Sequence, residues 1–581
     1  MSAIKSLRSL FPYVRRHRTA LAVSYLFLFV AEGLVLYGTV LLRHAVDSLA
    51  SPGRISIAGY ALLLFAVALG QGGCHFASRY WMGTSARHVE YELRNDFFSH
   101  LLRLEPAYYV RNSVGDLISR AINDLNAVQM MLGHTLMFFS SSVIRVPAAL
   151  FLMVWIDVRL ALVSLVPFVA LPFCMKALSA RVHDLFEGIQ ERFAGMSAKV
   201  RESFGGVRVV KAYNREADEA RVFDAMNRDF IHENKRLIRL ESVIFPLILF
   251  LPGLSYLLML WVGGVDVASG RLTIGQFVQF ANCLMMLTFP MASFGFTWSG
   301  LQRGAASMGR LASIIATEPE IRDAEDLPTR EEPIQGDVEF RNLSFAYDGQ
   351  PVLRDVSLRI PAGTTVAIVG PTGAGKSTLI GLIPRLYQAE PGMVLVDGKD
   401  VREYSLRHLR SQIAVVQQEP FLFSDTIADN LRLAKLDAEE HELQEAARVA
   451  HLLREIGEFP QGFATQLGER GLTVSGGQRQ RTSLARALLR HPRILILDDA
   501  FSSVDTYTEE AILENLRKQV EDMTVLLISH RISTLKDADH IVVLQDGRIA
   551  EEGTHERLLE MGGMYAELYE KQRLREELDR L

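Results

Sequence analysis

Six apolar stretches of about twenty residues each fill the first half of this chain, at positions 19–42, 57–77, 130–155, 160–180, 243–265 and 277–297. A segment of that length crosses the roughly 30 Å hydrocarbon core of a bilayer as a helix, because no water is there to satisfy an open backbone. This half is thereby restricted to a bundle of six spanning helices before any motif is read. The second half is of another kind. After about residue 325 charged and turn residues dominate, so the 49% hydrophobic content and mean hydropathy of +0.14 average two unlike regions. At 581 residues the chain suits two large domains.

Six crossings leave both ends on one side. Lys5, Arg8, Arg15, Arg16 and Arg18 precede the first stretch, and two long connections rich in charge follow the second and fourth, which places the ends and those connections in the cytoplasm. The first stretch is too long for the core of a cleavable signal and is expected to remain as an anchor. Helical periodicity continues through residues 90–104 and 199–233, so the membrane helices should run on into the cytoplasm. Glycine interrupts that pattern at Asn112–Arg120 and Gly205–Ala212, where turns are expected. Cys74, Cys174 and Cys283 all fall in or beside apolar stretches, which argues for small buried hydrophobes over a disulfide or metal framework. A formal net charge of −5 gives no footprint for nucleic acid.

Within the spans, ionisable groups stand out because they are expensive there. Glu32 lies in the first, Arg145 in the third, and Gln71, His75 and Arg79 toward the end of the second. They read either as the lining of a cavity or as a structural ion pair. Phe277, Phe280, Phe289, Phe294, Phe296 and Trp298 form an aromatic series in and just after the last span, suited to helix packing or to an apolar substrate.

The second half carries the sharper chemistry. Gly370-Pro371-Thr372-Gly373-Ala374-Gly375-Lys376-Ser377 follows the apolar, β-branched run 364–369, which reads as a buried strand, and Ser377-Thr378-Leu379-Ile380 begins a helix. Glycines there let backbone N–H groups cradle phosphates, with Lys376 reaching the β- and γ-phosphates and Ser377 ligating Mg²⁺. A second apolar run, Ile494–Leu497, ends in Asp498 and Asp499, and Asp498 can complete the magnesium shell opposite Ser377.

With these residues the chain resembles the nucleotide-binding domain of the ATP-binding cassette (ABC) family. Tyr347 matches the aromatic that stacks on adenine, and Gln418 the glutamine that senses Mg²⁺ and the γ-phosphate. Ser475-Gly476-Gly477-Gln478 matches the signature, Ser502-Ser503-Val504-Asp505 the loop that crosses the dimer, and His530 the switch histidine. Gln466–Gly471 looks like the stretch that marks exporters. The resemblance implies a six-helix, exporter-type membrane domain fused to an α/β phosphate-loop domain. The expected division is 1–315 for the membrane domain, 316–336 for a linker, and 337–581 for the cassette. It further implies an inner-membrane half-transporter, using ATP and Mg²⁺ to export a hydrophobic or amphipathic drug, lipid or peptide. The glycine turns resemble those by which exporter membrane domains touch their cassettes.

In this family one copy's signature closes over the ATP held by another, so a second half-transporter is the implied partner, alongside membrane lipid and no nucleic acid. The family normally has Glu after the magnesium aspartate, and here stands Asp499. One methylene less withdraws the carboxylate by roughly 1.5 Å, and a misplacement of about 1 Å can cost about a hundredfold in rate. That departure favours a hetero-partner over a homodimer and keeps open a regulatory, slowly hydrolysing subunit. An exporter-shaped importer shares the same motifs, whereas the six spans disfavour a soluble cassette ATPase.

Overall fold

The computed structural model describes residues 7–50, 55–323, 332–468, 471, 473–519 and 523–579. They form two compact units: Met1–Leu102 with Ser113–Thr317, and Arg103–Asn112 with Glu318–Leu581.

Six helices of the first unit are long and apolar enough to cross a membrane. They are α1 (Arg18–Ala50), α2 (Ile57–Leu101), α3 (Leu136–Ile156, the end of a helical run that starts at Val114), α4 (Val158–Gly205), α5 (Glu216–Ala268) and α6 (Ile274–Ile315). Four of them, α2, α4, α5 and α6, contain 45, 48, 53 and 42 residues. At ~1.5 Å per residue they measure about 63–80 Å, twice a bilayer core or more, so each continues well past its apolar part. Their starts are set by side-chain caps. Asp157 accepts from Leu160 N at 2.7 Å to open α4, and Thr273 and Gln276 form a reciprocal capping box at α6.

Polar contacts and small residues then fix how the helices meet. Ser24 of α1 donates to the carbonyl of Ser78 in α2 at 2.8 Å, and Asp47 of α1 accepts from Gly275 N in α6 at 2.8 Å. A Cβ on Gly300 of α6 would lie 2.8 Å from the Thr135 hydroxyl, and one on Gly304 would overlap Met131. Glycine therefore lets α6 approach the 131–135 segment closely.

The first glycine turn is present but built differently from expectation. Asn112 and Ser113 are extended, at ψ of 118° and 136°, and Ser113 accepts from Asp116 N at 3.2 Å to cap a helix that runs through Gly115. A second break lies at Leu102–Glu105, and the six-residue helix between the two, Pro106–Arg111, belongs to the second unit. Pro106 at its first turn fixes that second break, while Gly115 is tolerated inside a helix. Gly205-Gly206 does end α4, and a short helix, Val207–Ala212, follows.

Two sheets organise the second unit. One is antiparallel in the order β2 (Gln350–Ile360), β1 (Val338–Tyr347), β4 (Val394–Val396), β5 (Lys399–Asp400). The other runs β10 (Arg548–Gly553), β9 (His540–Gln545), β3 (Thr365–Val369), β8 (Thr524–Ile528), β7 (Ile494–Asp498), β6 (Ile413–Val416). Its pairings from β9 to β6 are parallel, and β10 is antiparallel at the edge. Strands covered on both faces should be continuously apolar, as β3, β7 and β8 are. Parallel strands also bring their C-terminal ends to one edge, where open α/β sheets bind ligands.

Candidate functional site

Four neighbouring strand ends build one cleft. β3 runs into the glycine loop and α7 (Lys376–Leu382), β7 ends at Asp498, β8 ends at Ile528 just before Ser529-His530, and β6 leads to Gln418. The cleft has a volume of about 270 Å³, and its walls include Thr372, Gly373, Gly375, Lys376, Ser377, Thr378, Gln418, Asp498, Asp499 and His530. Residues 158 positions apart in sequence are thus assembled by strand order alone.

The loop needs its glycines. Gly370, Gly373 and Gly375 have φ of +149°, +83° and +99°, and a Cβ on Gly375 would lie 2.8 Å from Leu353. Lys376 is buried, and its ammonium donates to the carbonyls of Gly370 at 2.9 Å and Pro371 at 3.0 Å. Ala374 is buried beneath the loop. Burial lowers the Lys376 pKa, an effect opposed by Asp498 and Asp499. Asp498 shifts the other way: burial pushes its carboxyl up, the Ser377 hydrogen bond opposes this, and Asp499 adds to the rise. A cation placed between Ser377 and Asp498 would favour the ionised carboxylate.

Asp499 leaves the strand in the left-handed region, at φ +48°, and its N–H donates to Ile528 O at 2.9 Å. Gln418 Nε2 lies 3.5 Å from Asp499 Oδ2, a long contact that puts the two side chains on the same side of the cleft. His530 lines the cleft as an exposed side chain. Tyr347 borders the cleft without lining it. Its hydroxyl donates to Thr378 Oγ1 at 3.2 Å, and its ring meets Tyr387 edge-on at 5.1 Å. Burial raises that hydroxyl to about 12.

The signature residues lie elsewhere. Ser475 caps α8 (Gly476–Leu488): its hydroxyl accepts from Gln478 N at 3.2 Å, and Gln478 Oε1 accepts from Ser475 N at 2.9 Å. Among the described residues that line the cleft, none comes from Ser475–Gln478. A Cβ on Gly477 would come 3.0 Å from Ser503 O, so glycine lets α8 press on the 502–505 loop. Gln480 locks the same contact, donating to Ser502 Oγ at 2.7 Å and accepting from Ser503 N at 2.8 Å. Of the exporter-like stretch, Gln466, Leu467, Gly468 and Gly471 are described, while Glu469 and Arg470 lie outside the described residues.

Two features went unread in the sequence. Arg531, next to His530, donates to Val504 O at 2.8 Å and pairs with the buried Glu509, which also accepts from Thr534. Glu455 accepts from Gln478 Nε2 at 2.8 Å and pairs with Arg481 at 2.7 Å. The only sequence signal was an acidic residue inside an otherwise amphipathic helix, which most often marks a solvated face.

In the first unit, Glu32 and Arg145 form a bidentate pair, with both hydrogen bonds at 2.8 Å, and Ser141 donates to the same carboxylate at 2.5 Å. Glu32 is fully buried, so of the two readings given to this residue the ion pair describes it. Arg145 also faces a cavity of about 730 Å³ together with His75 and Arg79. Of the aromatic series in α6, Phe280 is core and Phe289 lines the cavity.

Comparison with known proteins agrees with this architecture. The family model described as ABC transporter transmembrane region matches residues 21–291, and that described as ABC transporter matches residues 353–502. The chain is 33% identical over 561 residues, 95% of each chain, to a Bacillus subtilis protein named "Probable multidrug resistance ABC transporter ATP-binding/permease protein YheI". It is also 33% identical over 569 residues to the ATP-dependent lipid A-core flippase of Syntrophus aciditrophicus, covering 97% of this chain and 94% of that one. A solved structure of a bacterial Atm1-family ABC exporter with ATP bound superposes with a TM-score of 0.78 at 27% identity, covering 96% of this chain and 98% of that one. The chain belongs to the ABC transporter family, as a multi-pass inner-membrane protein of exporter fold whose cytoplasmic unit hydrolyses ATP to drive export.

Proposed function

We propose that this chain is one half of a dimeric exporter of amphipathic molecules and that its own cleft is the slower of two ATP sites. Lys376 and the loop N–H groups of 372–378 would hold the phosphates, and Ser377, Asp498 and Gln418 would hold Mg²⁺, which screens phosphate charge during attack by water. Tyr347 would support the adenine, His530 would contact the γ-phosphate, and Asp499 would orient the attacking water. Ser475, Gly476, Gly477 and Gln478 would close over the partner's nucleotide.

One observation carries this reading: the phosphate loop, Asp498, Asp499, Gln418 and His530 line a single cleft, and the signature does not. A second chain is then needed to complete the site. A shortened general base beside a near-consensus signature favours a partner whose own base is Glu, since this chain would then contribute a strong signature to the other site and a weak base to its own. The substrate class draws on the multidrug and lipid A-core names of the relatives.

Steady-state ATPase of the purified transporter tests the arrangement. In a heterodimer Ser475→Ala should remove most turnover and Asp499→Asn little. Equal, near-complete loss for both in a transporter that purifies as one chain type would instead make Asp499 the working base of a homodimer.

A further inference from the structure

The N-terminus of α8 is held from outside the signature. Gln478 closes the capping box with one end of its side-chain amide: Oε1 accepts from Ser475 N at 2.9 Å, while Ser475 Oγ accepts from Gln478 N at 3.2 Å. The other end, Nε2, donates at 2.8 Å to Glu455, a residue 23 positions earlier in the chain. Glu455 stands in the first turn of the short helix Leu453–Glu458. Leu452 and Ile456, on either side of it in sequence, belong to the same buried core as Leu484 and Leu488 of α8.

A side-chain amide can sit in such a box in two orientations, which exchange its oxygen and its nitrogen. Its two neighbours choose between them. A backbone N–H only donates and an ionised carboxylate only accepts, so Oε1 must face Ser475 and Nε2 must face Glu455. Without the carboxylate the amide is free to flip, and a flipped amide turns its NH₂ toward the Ser475 N–H and opens the box. What the closed box leaves free is the chemistry of the signature. Ser475 N is spent on Gln478, and Ser475 Oγ accepts from Gln478 N, so the exposed hydroxyl keeps its proton for an incoming acceptor. The N–H groups of Gly476 and Gly477, in the first turn of α8, have no intrahelical acceptor and point out of the helix end.

A carboxylate beside an anion site would oppose the anion unless its charge were met. Arg481 Nη2 pairs with Glu455 Oε1 at 2.7 Å, the only ion pair of Arg481 among the described residues, so the field of the acid at the helix end is largely cancelled. Arg481 is 9% exposed and donates through a second nitrogen to the carbonyl of His451 at 2.7 Å. The two carboxylate oxygens of Glu455 thus have separate duties: Oε1 meets the cation and Oε2 orients the amide. We infer that Glu455 is a positioning residue for the signature: through the amide of Gln478 it holds Ser475 and the first turn of α8 in the arrangement that meets a triphosphate. It touches no nucleotide itself, and the inference rests on the reading above in which the signature closes over the partner's nucleotide.

Steady-state ATPase and thermal unfolding of the full-length transporter, purified with whatever partner chain it carries, test this role. Glu455→Ala should lower kcat by about tenfold. KM for ATP should stay within about twofold, because the signature contact belongs to the closed, reacting state and ATP loading to the phosphate loop. The double variant Glu455→Ala with Gln478→Ala should turn over no more slowly than Gln478→Ala alone, since the acid acts through that amide. Glu455→Ala also strands Arg481, so its melting temperature should fall, and adding Arg481→Met should restore it without restoring kcat. Native kcat in Glu455→Ala overturns the inference, as do losses that multiply in the double variant with Gln478, or a kcat that returns together with the melting temperature when Arg481 is replaced. Ser475→Ala is measured alongside. Native turnover in that variant removes the signature reading and this inference with it, whereas loss in Ser475→Ala beside native turnover in Glu455→Ala removes this inference alone.

Discussion

Polar side chains do opposite work in the two units. In the nucleotide unit the phosphate-loop and signature side chains are placed by nearby backbone groups: Lys376 rests on two loop carbonyls and Ser475 on the N–H of Gln478. In the membrane unit the buried acid is held by other side chains. Among the described residues Glu32 is bonded by Arg145 and Ser141 alone. The lesson is that a polar substitution in the first region should cost function and spare the fold, whereas one in the second should cost the fold first.

The contrast is broken or sharpened by four experiments. The largest effect is expected from Gly477→Asp, where a side chain would enter the contact with Ser503 O and place a carboxylate at the proposed anion site. Turnover of the assembled transporter should fall by about a hundredfold or more, with only a modest fall in melting temperature as the contact with Ser503 O gives way. A large drop in melting temperature would mean that α8 is a structural element and break the contrast on the nucleotide side.

Next comes Lys376→Ala. Loss of a buried, charge-assisted phosphate contact should weaken ATP binding at this chain's site by about ten- to a hundredfold, read by equilibrium nucleotide binding. Native affinity would remove the phosphate-loop assignment.

On the membrane side, Glu32→Gln should destabilise the purified protein by about 3 kcal/mol, because it strands Arg145 in an apolar surrounding. The double variant Glu32→Gln with Arg145→Met should recover most of that loss in a thermal unfolding series. Stable single variants would show that the pair is not structural and that the two regions do not differ as described.

The smallest effect is expected from Asp499→Asn. If the partner is a second, different chain as proposed, turnover should change by about twofold or less, a magnitude expected where the site was already slow.

The same contrast explains what could be read from sequence. Phosphate chemistry demands particular residue types at fixed spacing, so the glycine loop and Asp498 were legible from the residues themselves, Gln418 and His530 through the family resemblance alone, and the sheet brings all of them to one cleft. The six spans were legible because bilayer thickness dictates helix length. Pairing across helices left no such trace. Glu32 and Arg145 are 113 residues apart and could be read as lining or as partners, since periodicity does not say which faces meet. The turn at 112–120 is present at Asn112–Ser113, but glycine does not make it: Gly115 lies inside the helix that follows, and the second break, before Pro106, had no glycine to announce it. Arg531 with Glu509 had no spacing rule at all.

One feature of the fold bears on how such proteins can be recombined. Arg103–Asn112 belongs to the compact nucleotide unit, where Glu105 accepts from Glu320 N at 3.2 Å and Arg111 pairs with Asp348 at 2.6 Å. The gene nevertheless encodes that piece more than two hundred codons upstream of Glu318. A chimera spliced at residue 318 therefore inherits its cassette from one parent and a ten-residue patch of that cassette's surface from the other. Interchangeable modules in this architecture require two cuts, and a single crossover selects for parents that already agree at 105 and 111.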